Sequence, residues 1–265
     1  MKLSVIIPAY KEAARIPSTA ARLTAQLDAA FAEGEYEIIF VNDGSPDNTA
    51  SVMAETEGGS VRCVGYPDNR GKGAAVRFGM AAAKGDIRIF TDCDLAYGTE
   101  AVTALYKALA ESEADLMIAS RAKHKKGYEG YSFFRRLLSR GYYFVLRIVT
   151  GLHVSDSQSG LKGFRAAAAE RIFPLCTVNG FAFDLEVLLL ADKMGFRTAE
   201  MPATVQDNAP TKIKLSDPFR MLADMYKIKK RVRKLDLSAT RPADTDSKND
   251  TQKDSMDENG AKEEK

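Results

Sequence analysis

Two carboxylates separated by one residue, in Asp92-Cys93-Asp94, are the feature of this chain with the clearest potential for chemistry. They follow an apolar run, residues 86–91, that predicts a buried strand, and an open α/β sheet binds its ligands at the carboxyl ends of its strands. Alternation along a strand would point both carboxylates one way and Cys93 into the protein. Paired carboxylate oxygens suit a hard cation, Mg²⁺ or Mn²⁺. The alternative is a structural one, because acidic pairs also cap helices and close turns.

Three further apolar runs end in polar or glycine-rich segments. The runs and the segments that follow them are residues 3–7 before Pro8-Ala9-Tyr10-Lys11-Glu12, residues 36–41 before Asn42-Asp43-Gly44-Ser45, and residues 61–64 before Asn69-Arg70-Gly71-Lys72-Gly73. Helix-like stretches lie between the runs, the first of them beginning at Pro17 and stopping at Gly34. Strands that alternate with helices predict an α/β fold with a doubly wound, mostly parallel sheet, so that all four segments share one edge.

The composition is that of a globular protein, with 265 residues of which 45% are hydrophobic and 28% charged. No run is long enough to span a membrane, and the first apolar stretch is too short for a secretory signal, so a cytoplasmic location is expected. Three cysteines, Cys63, Cys93 and Cys176, are odd in number and lack metal-type spacing. They are predicted to be reduced, partly buried thiols.

A polar tail begins after Leu237, and residues 238–265 are predicted to be disordered. The tail contains eight acidic and five basic residues, a net charge of −3, which leaves +5 for residues 1–237 out of the total of +2. A mildly basic folded part fits anionic partners, although charge alone does not separate nucleotides from membranes.

The four segments, in this order and spacing, resemble the family 2 glycosyltransferases, which have a GT-A fold, over roughly residues 1–235. Within that family the chain is most similar to the dolichyl-phosphate and polyprenyl-phosphate sugar transferases of the glucosyl type. Two segments carry this second resemblance: Asn69-Arg70-Gly71-Lys72-Gly73 and Asp156-Ser157-Gln158-Ser159-Gly160-Leu161-Lys162-Gly163-Phe164. The resemblance implies a nucleotide-sugar half, residues 1–115, and an acceptor half, residues 116–237. It also implies inverting transfer of a hexose, from UDP-glucose rather than GDP-mannose, to a polyprenyl or dolichyl phosphate.

The resemblance and elementary chemistry together define an expected donor site. Asp92 and Asp94 should hold Mg²⁺ or Mn²⁺ and the diphosphate, because a divalent cation neutralises the charge that develops on this leaving group, and Asp94 is the catalytic candidate of the pair. Ala96 stands where some relatives offer another metal ligand, so water or a substrate oxygen must fill that place. The remaining donor-site residues are expected to be Pro8, Tyr10, Glu12 and Asp43 around the nucleotide and Arg70 and Lys72 at the phosphates or sugar. Their structural alternatives are a tight turn at Asp43 and a basic loop capping a helix at Arg70 and Lys72.

Residues 131–152 combine aromatic and aliphatic side chains with regularly placed arginines. This pattern predicts either a helix in the membrane interface or an amphipathic core helix. Arg135 and Ser139 are four residues apart and would share one face, and Arg121, after the predicted strand 116–120, would join them. In the branch that the chain resembles, matching positions bind the acceptor phosphate, a task that suits planar guanidinium groups. Lys212, in a segment similar to the Ser-Lys loop of that branch, is expected at the acceptor phosphate or over the diphosphate.

Asp184 and Glu186 form a second carboxylate pair, which matches the family's Phe-Asp-x-Glu segment. The resemblance implies that they shape the sugar site, or supply a catalytic base if the acceptor is a hydroxyl. A lipid monophosphate is largely ionised at neutral pH and needs no such base. His124 and His153 are therefore interpreted as surface and packing residues, and a helix N-terminal cap is the alternative for Asp184.

The last predicted element, residues 219–234, is a basic amphipathic stretch, interpreted as a peripheral contact with the cytoplasmic face of a membrane. Two alternatives to the lipid-phosphate transferase stay open. One is an enzyme of the same family acting on a sugar hydroxyl in surface polysaccharide or glycolipid synthesis. The other is a nucleotide-sugar-binding protein without transfer activity. A nucleotidyltransferase is disfavoured because the resemblance extends through the acceptor half, and no nucleic-acid partner is expected.

Overall fold

The computed structural model describes residues 1–124, 146–180, 182–205 and 217–236. Three predicted site residues, Arg135, Ser139 and Lys212, lie outside these ranges, as does most of the predicted helix 131–152. The chain divides into a compact unit, Met1–Leu235, and a second unit, Asp236–Lys265. The tail predicted for residues 238–265 also falls outside the described residues and stays a prediction.

Strands and helices alternate along most of the described chain. The strands are β1 Leu3–Ala9, β2 Tyr36–Asp43, β3 Val61–Tyr66, β4 Ile87–Phe90, β5 Leu116–Ser120, β6 Lys162–Arg165 and β7 Thr198–Pro202. The α-helices with both ends in the described ranges are α1 Ile16–Asp28, α2 Thr49–Thr56, α3 Lys72–Ala82, α4 Thr99–Ala110, α5 Ala166–Ile172, α6 Phe183–Lys193 and α7 Asp217–Lys234.

The strands form one sheet in the order β3-β2-β1-β4-β6-β5-β7. All neighbouring pairs are parallel except those of β6, which is antiparallel to both β4 and β5. The prediction of a mostly parallel α/β sheet is confirmed. Insertion of β6 was not predicted, and it places residues from the second half of the chain beside β4.

Helices cover both faces of the sheet, which explains why the central strands are continuously apolar. Because side chains alternate along a strand, Val5 and Ile7 pack with α1, α2 and α4, whereas Ile6 packs on the opposite face with α3, α5, α6 and α7. Ile6 is paired with Ile39 of β2 and Phe90 of β4, so this part of the core lies directly below the carboxyl edge.

Helix α1 ends earlier than the sequence suggested. Pro17 lies in its first turn as expected, but the helix stops at Asp28, and Gly34 belongs to the turn before β2. The amides of Ala30 and Phe31 both donate to the carbonyl of Leu27, which closes the helix. Gly34 has a φ of 76°, the left-handed conformation that favours glycine.

Helix α7 is part of the core. Its residues Met225, Ile228 and Val232 are 0%, 5% and 3% exposed and share the hydrophobic cluster of α6. Within the described ranges, no helix has the length and apolar character needed to cross a membrane.

Candidate active site

The Asp92–Asp94 segment lies at the carboxyl end of β4 but in a turn, since the strand ends at Phe90. The turn is closed by a hydrogen bond from the amide of Leu95 to the carbonyl of Asp92, at 3.0 Å. Cys93 is 3% exposed, and its carbonyl accepts a hydrogen bond from the Thr19 hydroxyl at 2.7 Å. The predicted alternation of buried and accessible side chains is therefore present, although the turn produces it.

Asp92 and Asp94 have different surroundings. Asp92 forms an ion pair with Lys72, and 38% of its side chain is exposed. Its Oδ2 atom also lies against Gly160, where any residue with a Cβ would bring that carbon within 2.3 Å of it. Asp94 is exposed, and one of its oxygens accepts a hydrogen bond from the amide of Ala96 at 3.1 Å. Both carboxylates thus face solvent at the edge where a ligand would enter.

Lys72 is the first residue of α3, and its side chain points to this edge. Burial by itself would lower the pKa of Lys72, but the charges of Asp92 and Asp184 outweigh it and the net shift is upward. The ammonium group is therefore charged at neutral pH. A cation at a helix N-terminus, where backbone amides also carry partial positive charge, suits an anionic ligand such as a diphosphate.

The carboxylate of Asp43, predicted to contact the ribose or base, is engaged by groups within the protein. Asp43 is 3% exposed, and its carboxylate accepts hydrogen bonds from the Tyr66 hydroxyl at 2.7 Å, the Asn69 amide group at 3.0 Å, and the backbone amides of Arg70 and Gly71 at 2.8 and 2.9 Å. With its oxygens occupied in this way, Asp43 holds the turn that leads to Lys72. The geometry favours this positioning role over direct contact with the ribose or base.

The predicted wall of the nucleotide pocket follows β1. Tyr10 is 42% exposed and Pro8 is half-buried, so both are accessible to a ligand. Glu12 is paired with Arg15 at 2.7 Å. Arg70 places its guanidinium over the ring of Tyr66, 4.6 Å from the centroid, which is a cation–π arrangement and not a helix cap.

A buried ion pair was missed by sequence reasoning. Lys162, at the start of β6, donates to Asp184 at 2.5 Å and to the carbonyl of Ser159 at 2.6 Å, and it is 1% exposed. Burial lowers the pKa of Lys162 and raises that of Asp184, and the opposite charge of each partner offsets part of both shifts. Asp184 lies in the first turn of α6 rather than at the cap, which is Ala182. The charge of Asp184 also raises the pKa of Lys72, which indicates that this pair lies near the Lys72–Asp92 pair.

Glu186 and Asp184 have different partners, since Asp184 pairs with Lys162 and Glu186 pairs with Arg231. Glu186 is 0% exposed, and its carboxylate accepts hydrogen bonds from the amides of Thr177 and Val178, both at 2.8 Å, and from Arg231 at 2.5 Å. Both oxygens of Glu186 accept hydrogen bonds from Thr177, Val178 and Arg231, so this geometry does not support the sugar-shaping or base role. The spacing in the sequence already argued against a shared role for Asp184 and Glu186, because residues two apart on a helix do not share a face.

Arg121, the described member of the predicted acceptor-phosphate group, forms a bidentate pair with Asp156. Its Nε and one terminal nitrogen each donate to the carboxylate at 2.7 Å, and Asp156 is 0% exposed. Asp156 is itself held by Glu200, which accepts a hydrogen bond from its amide at 3.2 Å. A guanidinium fixed in this way has a defined plane. His124 is half-buried and His153 exposed.

The oxygen ligands at this edge fit a divalent cation in part. Asp92 and Asp94 supply accessible carboxylates, the ligand type that Mg²⁺ and Mn²⁺ prefer. Within the described ranges, His, Cys, Asp and Glu residues form no cluster of three or more with metal-binding geometry. The site is thus suited to a cation whose remaining ligands come from the substrate diphosphate and water.

A sequence model of the glycosyl transferase family 2 matches residues 4–173 of the chain. The chain belongs to glycosyl transferase family 2. The match begins at β1 and includes all the donor-site segments described above as well as Asp156 to Lys162. The recognition made from the sequence is confirmed, and the protein is a glycosyltransferase.

Curated relatives of this family 2 glycosyltransferase are dolichyl-phosphate beta-glucosyltransferases. One of those from Trichomonas vaginalis is 31% identical over 235 residues, which are 84% of this chain and 69% of the relative. The one from Drosophila melanogaster is 35% identical over 214 residues, or 76% and 66% of the two chains, and the human protein is 33% identical over 216 residues, also 76% and 66%. The chain therefore spans about two thirds of the length of these relatives.

Solved structures confirm the GT-A fold of this family 2 glycosyltransferase. Glucosyl-3-phosphoglycerate synthase from Mycobacterium tuberculosis, in complex with phosphoglyceric acid, superposes with a TM-score of 0.63 at 23% identity, covering 86% of this chain and 79% of that one. The same enzyme with Mn²⁺, UDP-glucose and phosphoglyceric acid gives a TM-score of 0.63 at 22% identity, covering 89% and 81%.

Proposed function

We propose that this family 2 glycosyltransferase transfers glucose from UDP-glucose to dolichyl phosphate or another polyprenyl phosphate, with inversion and with Mg²⁺ or Mn²⁺. The observation that carries the proposal is the juxtaposition of Asp92, Asp94 and Lys72 at the carboxyl edge of the sheet, in a chain whose curated relatives are dolichyl-phosphate beta-glucosyltransferases. The two carboxylates suit a divalent cation, and the charged lysine suits the diphosphate leaving group that this cation would bind.

The donor half provides the groups that the leaving diphosphate requires. In the reaction, an oxygen of the acceptor phosphate attacks the anomeric carbon of glucose, and the bond from that carbon to the diphosphate breaks to release UDP. Asp92 and Asp94 would hold the cation, which when bound supplies Lewis acidity to the departing diphosphate. Lys72 would stabilise the same charge from the N-terminus of α3. Tyr10 and Pro8 would line the nucleotide.

The surroundings of the second carboxylate pair support a phosphate acceptor over a hydroxyl. A hydroxyl must lose its proton to a base during transfer, whereas a phosphate monoester is already ionised. Asp184 is paired with Lys162, and Glu186 is sequestered by four hydrogen-bond donors. Neither of the two base candidates taken from the sequence is therefore placed to accept a proton. Arg121, fixed by Asp156, is proposed to bind the acceptor phosphate with Arg135, Ser139 and Lys212.

Purified protein assayed with each donor and acceptor separately tests this proposal. UDP-glucose and GDP-mannose are each supplied with dolichyl phosphate, with dolichol lacking the phosphate, or with no lipid, in Mn²⁺ or in EDTA. Nucleotide release and charged glycolipid are measured. We expect product only with UDP-glucose, dolichyl phosphate and Mn²⁺. Product with dolichol would instead indicate a hydroxyl acceptor, and UDP binding with no product under any pairing would refute the transferase assignment.

The exposed face of α7 is proposed to contact an anionic membrane surface, the cytoplasmic face in the interpretation above. Its apolar residues Met225, Ile228 and Val232 are buried in the protein, so the contact would be mainly electrostatic, through exposed basic side chains: Lys227, Lys230, Arg233 and Lys234. Each basic residue near such a surface contributes about 1 kcal/mol. Sedimentation with phosphatidylserine vesicles should fall for the double variant Lys227→Glu, Lys230→Glu. Lys107→Glu, on the exposed side of α4, is the matched control, and equal binding by all three proteins would refute the contact.

A further inference from the structure

Glu186 holds a short segment of backbone, Leu175 to Asn179, that we call the latch loop. The loop begins at the last residue of the turn Phe173–Leu175 and precedes α6. One carboxylate oxygen of Glu186 accepts the amides of Thr177 and Val178 at 2.8 Å each, and the other accepts the Thr177 hydroxyl at 3.0 Å. A fully buried carboxylate with this many donors fixes the loop tightly, because breaking any one bond leaves charge unsolvated.

The opposite side of the latch loop touches the turn that carries Lys72. The amide of Gly73 donates to the carbonyl of Asn179 at 2.7 Å. A Cβ at Gly71 would lie 2.6 Å from that carbonyl oxygen, and one at Gly73 would lie 2.5 Å from the carbonyl oxygen of Val178. The two backbones are therefore in direct contact on both sides of Lys72. A displacement of the latch loop is transmitted to the residue that pairs with Asp92.

Arg231 of α7 joins this arrangement from the far end of the chain. One of its terminal nitrogens donates to Glu186 at 2.5 Å, and the other donates to the carbonyl of Leu175 at 2.7 Å. Its guanidinium thus links the Glu186 carboxylate to Leu175, the first residue of the latch loop. Arg77 of α3 anchors the same loop through the carbonyl of Cys176, at 3.0 Å, so that the loop is held from three helices.

We propose that Glu186 and Arg231 are positioning residues for the diphosphate end of the donor site, acting through the latch loop on Lys72. The inference rests on the proposed function for its choice of ligand, UDP, but it concerns binding and not transfer. Without the charge on Glu186 the two amides of the latch loop keep only a neutral, weaker acceptor, and without Arg231 the loop loses the hydrogen bond to the carbonyl of Leu175. In both cases Lys72 is no longer held where it meets Asp92, and the anionic ligand binds more weakly while the reacting groups stay in place.

The test is calorimetric titration of UDP in Mn²⁺ into the full chain and into Glu186→Gln, Arg231→Met and Arg231→Lys, with steady-state kinetics for UDP-glucose. Loss of one charge-assisted hydrogen bond predicts UDP binding weaker by about tenfold in Glu186→Gln and Arg231→Met. We expect KM for UDP-glucose to rise by a similar factor. A fall in kcat should accompany it, because Lys72 also stabilises the charge that develops on the diphosphate. Arg231→Lys, which keeps one of the two hydrogen bonds, should recover part of the affinity.

Arg197→Met is the matched control, because Arg197 pairs with Glu113 in a contact where both side chains are mostly exposed. Its UDP affinity should equal that of the wild type. If Glu186→Gln does not fold, Thr177→Val removes only the hydroxyl donor to Glu186 and should give a smaller loss of the same kind. Wild-type UDP affinity in a folded Arg231→Met would overturn the inference, as would a fall in kcat with unchanged KM. Because the titration needs no acceptor, it remains decisive even if the wild type transfers no glucose to lipid phosphate.

Discussion

Substitution of Gly160 by alanine should impair catalysis with little effect on folding. Gly160 lies against Asp92, and a Cβ there would be 2.3 Å from Oδ2, whereas ordinary contacts begin near 3.4 Å. The carboxylate must therefore retreat by about 1 Å. A misplacement of that size in a catalytic site costs about 100-fold in rate, which corresponds to about 2.7 kcal/mol of transition-state stabilisation.

The stability of the Gly160→Ala protein should change by less than about 1 kcal/mol. The atom that must move is the end of a side chain with 38% exposure, and it yields without disturbing the backbone. Replacing glycine also restricts the unfolded chain, which favours folding by about 0.4–1 kcal/mol where the backbone conformation is compatible. Loss of activity and loss of stability are thus expected to separate.

The assay is kcat/KM for UDP-glucose with dolichyl phosphate and Mn²⁺, measured beside urea unfolding of the same protein. Gly180→Ala is the control, since nothing lies within 4 Å of a Cβ at that position. We expect a fall of about 100-fold for Gly160→Ala and a change below about twofold for Gly180→Ala. If Gly160→Ala keeps kcat/KM within about threefold of wild type, the reasoning that Asp92 must occupy its present position is refuted.

Three other outcomes follow from contacts in the site. Asp94→Asn should lower kcat/KM by about 100-fold or more, yet alter the urea midpoint little, because Asp94 is exposed; an unchanged rate of UDP release would exclude it as a metal ligand. Lys162→Met should destabilise the fold by about 3–5 kcal/mol, since it leaves Asp184 buried without its partner, and adding Asp184→Asn should recover part of the loss in the same denaturation assay. Burial raises the pKa of Cys93 to about 12, so its thiolate is scarce at pH 8. Iodoacetamide should therefore label Cys93 at least about 100-fold faster in urea than in the native protein. Equal labelling rates, measured by mass spectrometry, would contradict the burial of Cys93.

The donor edge was predictable because its signals are local. Each of the first four strands is an apolar run that ends in its own polar segment, and parallel strands bring such ends together. The positions of Asp92, Asp94 and Lys72 follow from that rule and from the start of a helix at Lys72. Even the internal role of Asp43 had a hint in its turn-forming Asn-Asp-Gly context.

The second half of the site depends on contacts between distant residues, which a single sequence does not specify. Lys162 stands in a segment that resembles the family, but the antiparallel placement of β6 is what brings it to Asp184. Similarly, the hydrophobic pattern of α7 indicated an amphipathic helix, and nothing local distinguished a membrane from the protein core as its apolar partner. The buried Met225 and Val232 show that the protein core takes that role.

The position of β6 has a consequence for the order of folding. Strands β5 and β7 are hydrogen-bonded to each other, and β1 to β4 form their own ladder, while among the described strands β6 alone connects the two groups. Until β6 enters, β4 and β5 each present an unpaired edge, and exposed edges invite association between chains. Closing the sheet requires pairing between residues far apart in sequence, which is slow. The contact of Gly160 with Asp92 forms only when the sheet closes, so partly folded chains are expected to be prone to aggregation and to lack a complete active site.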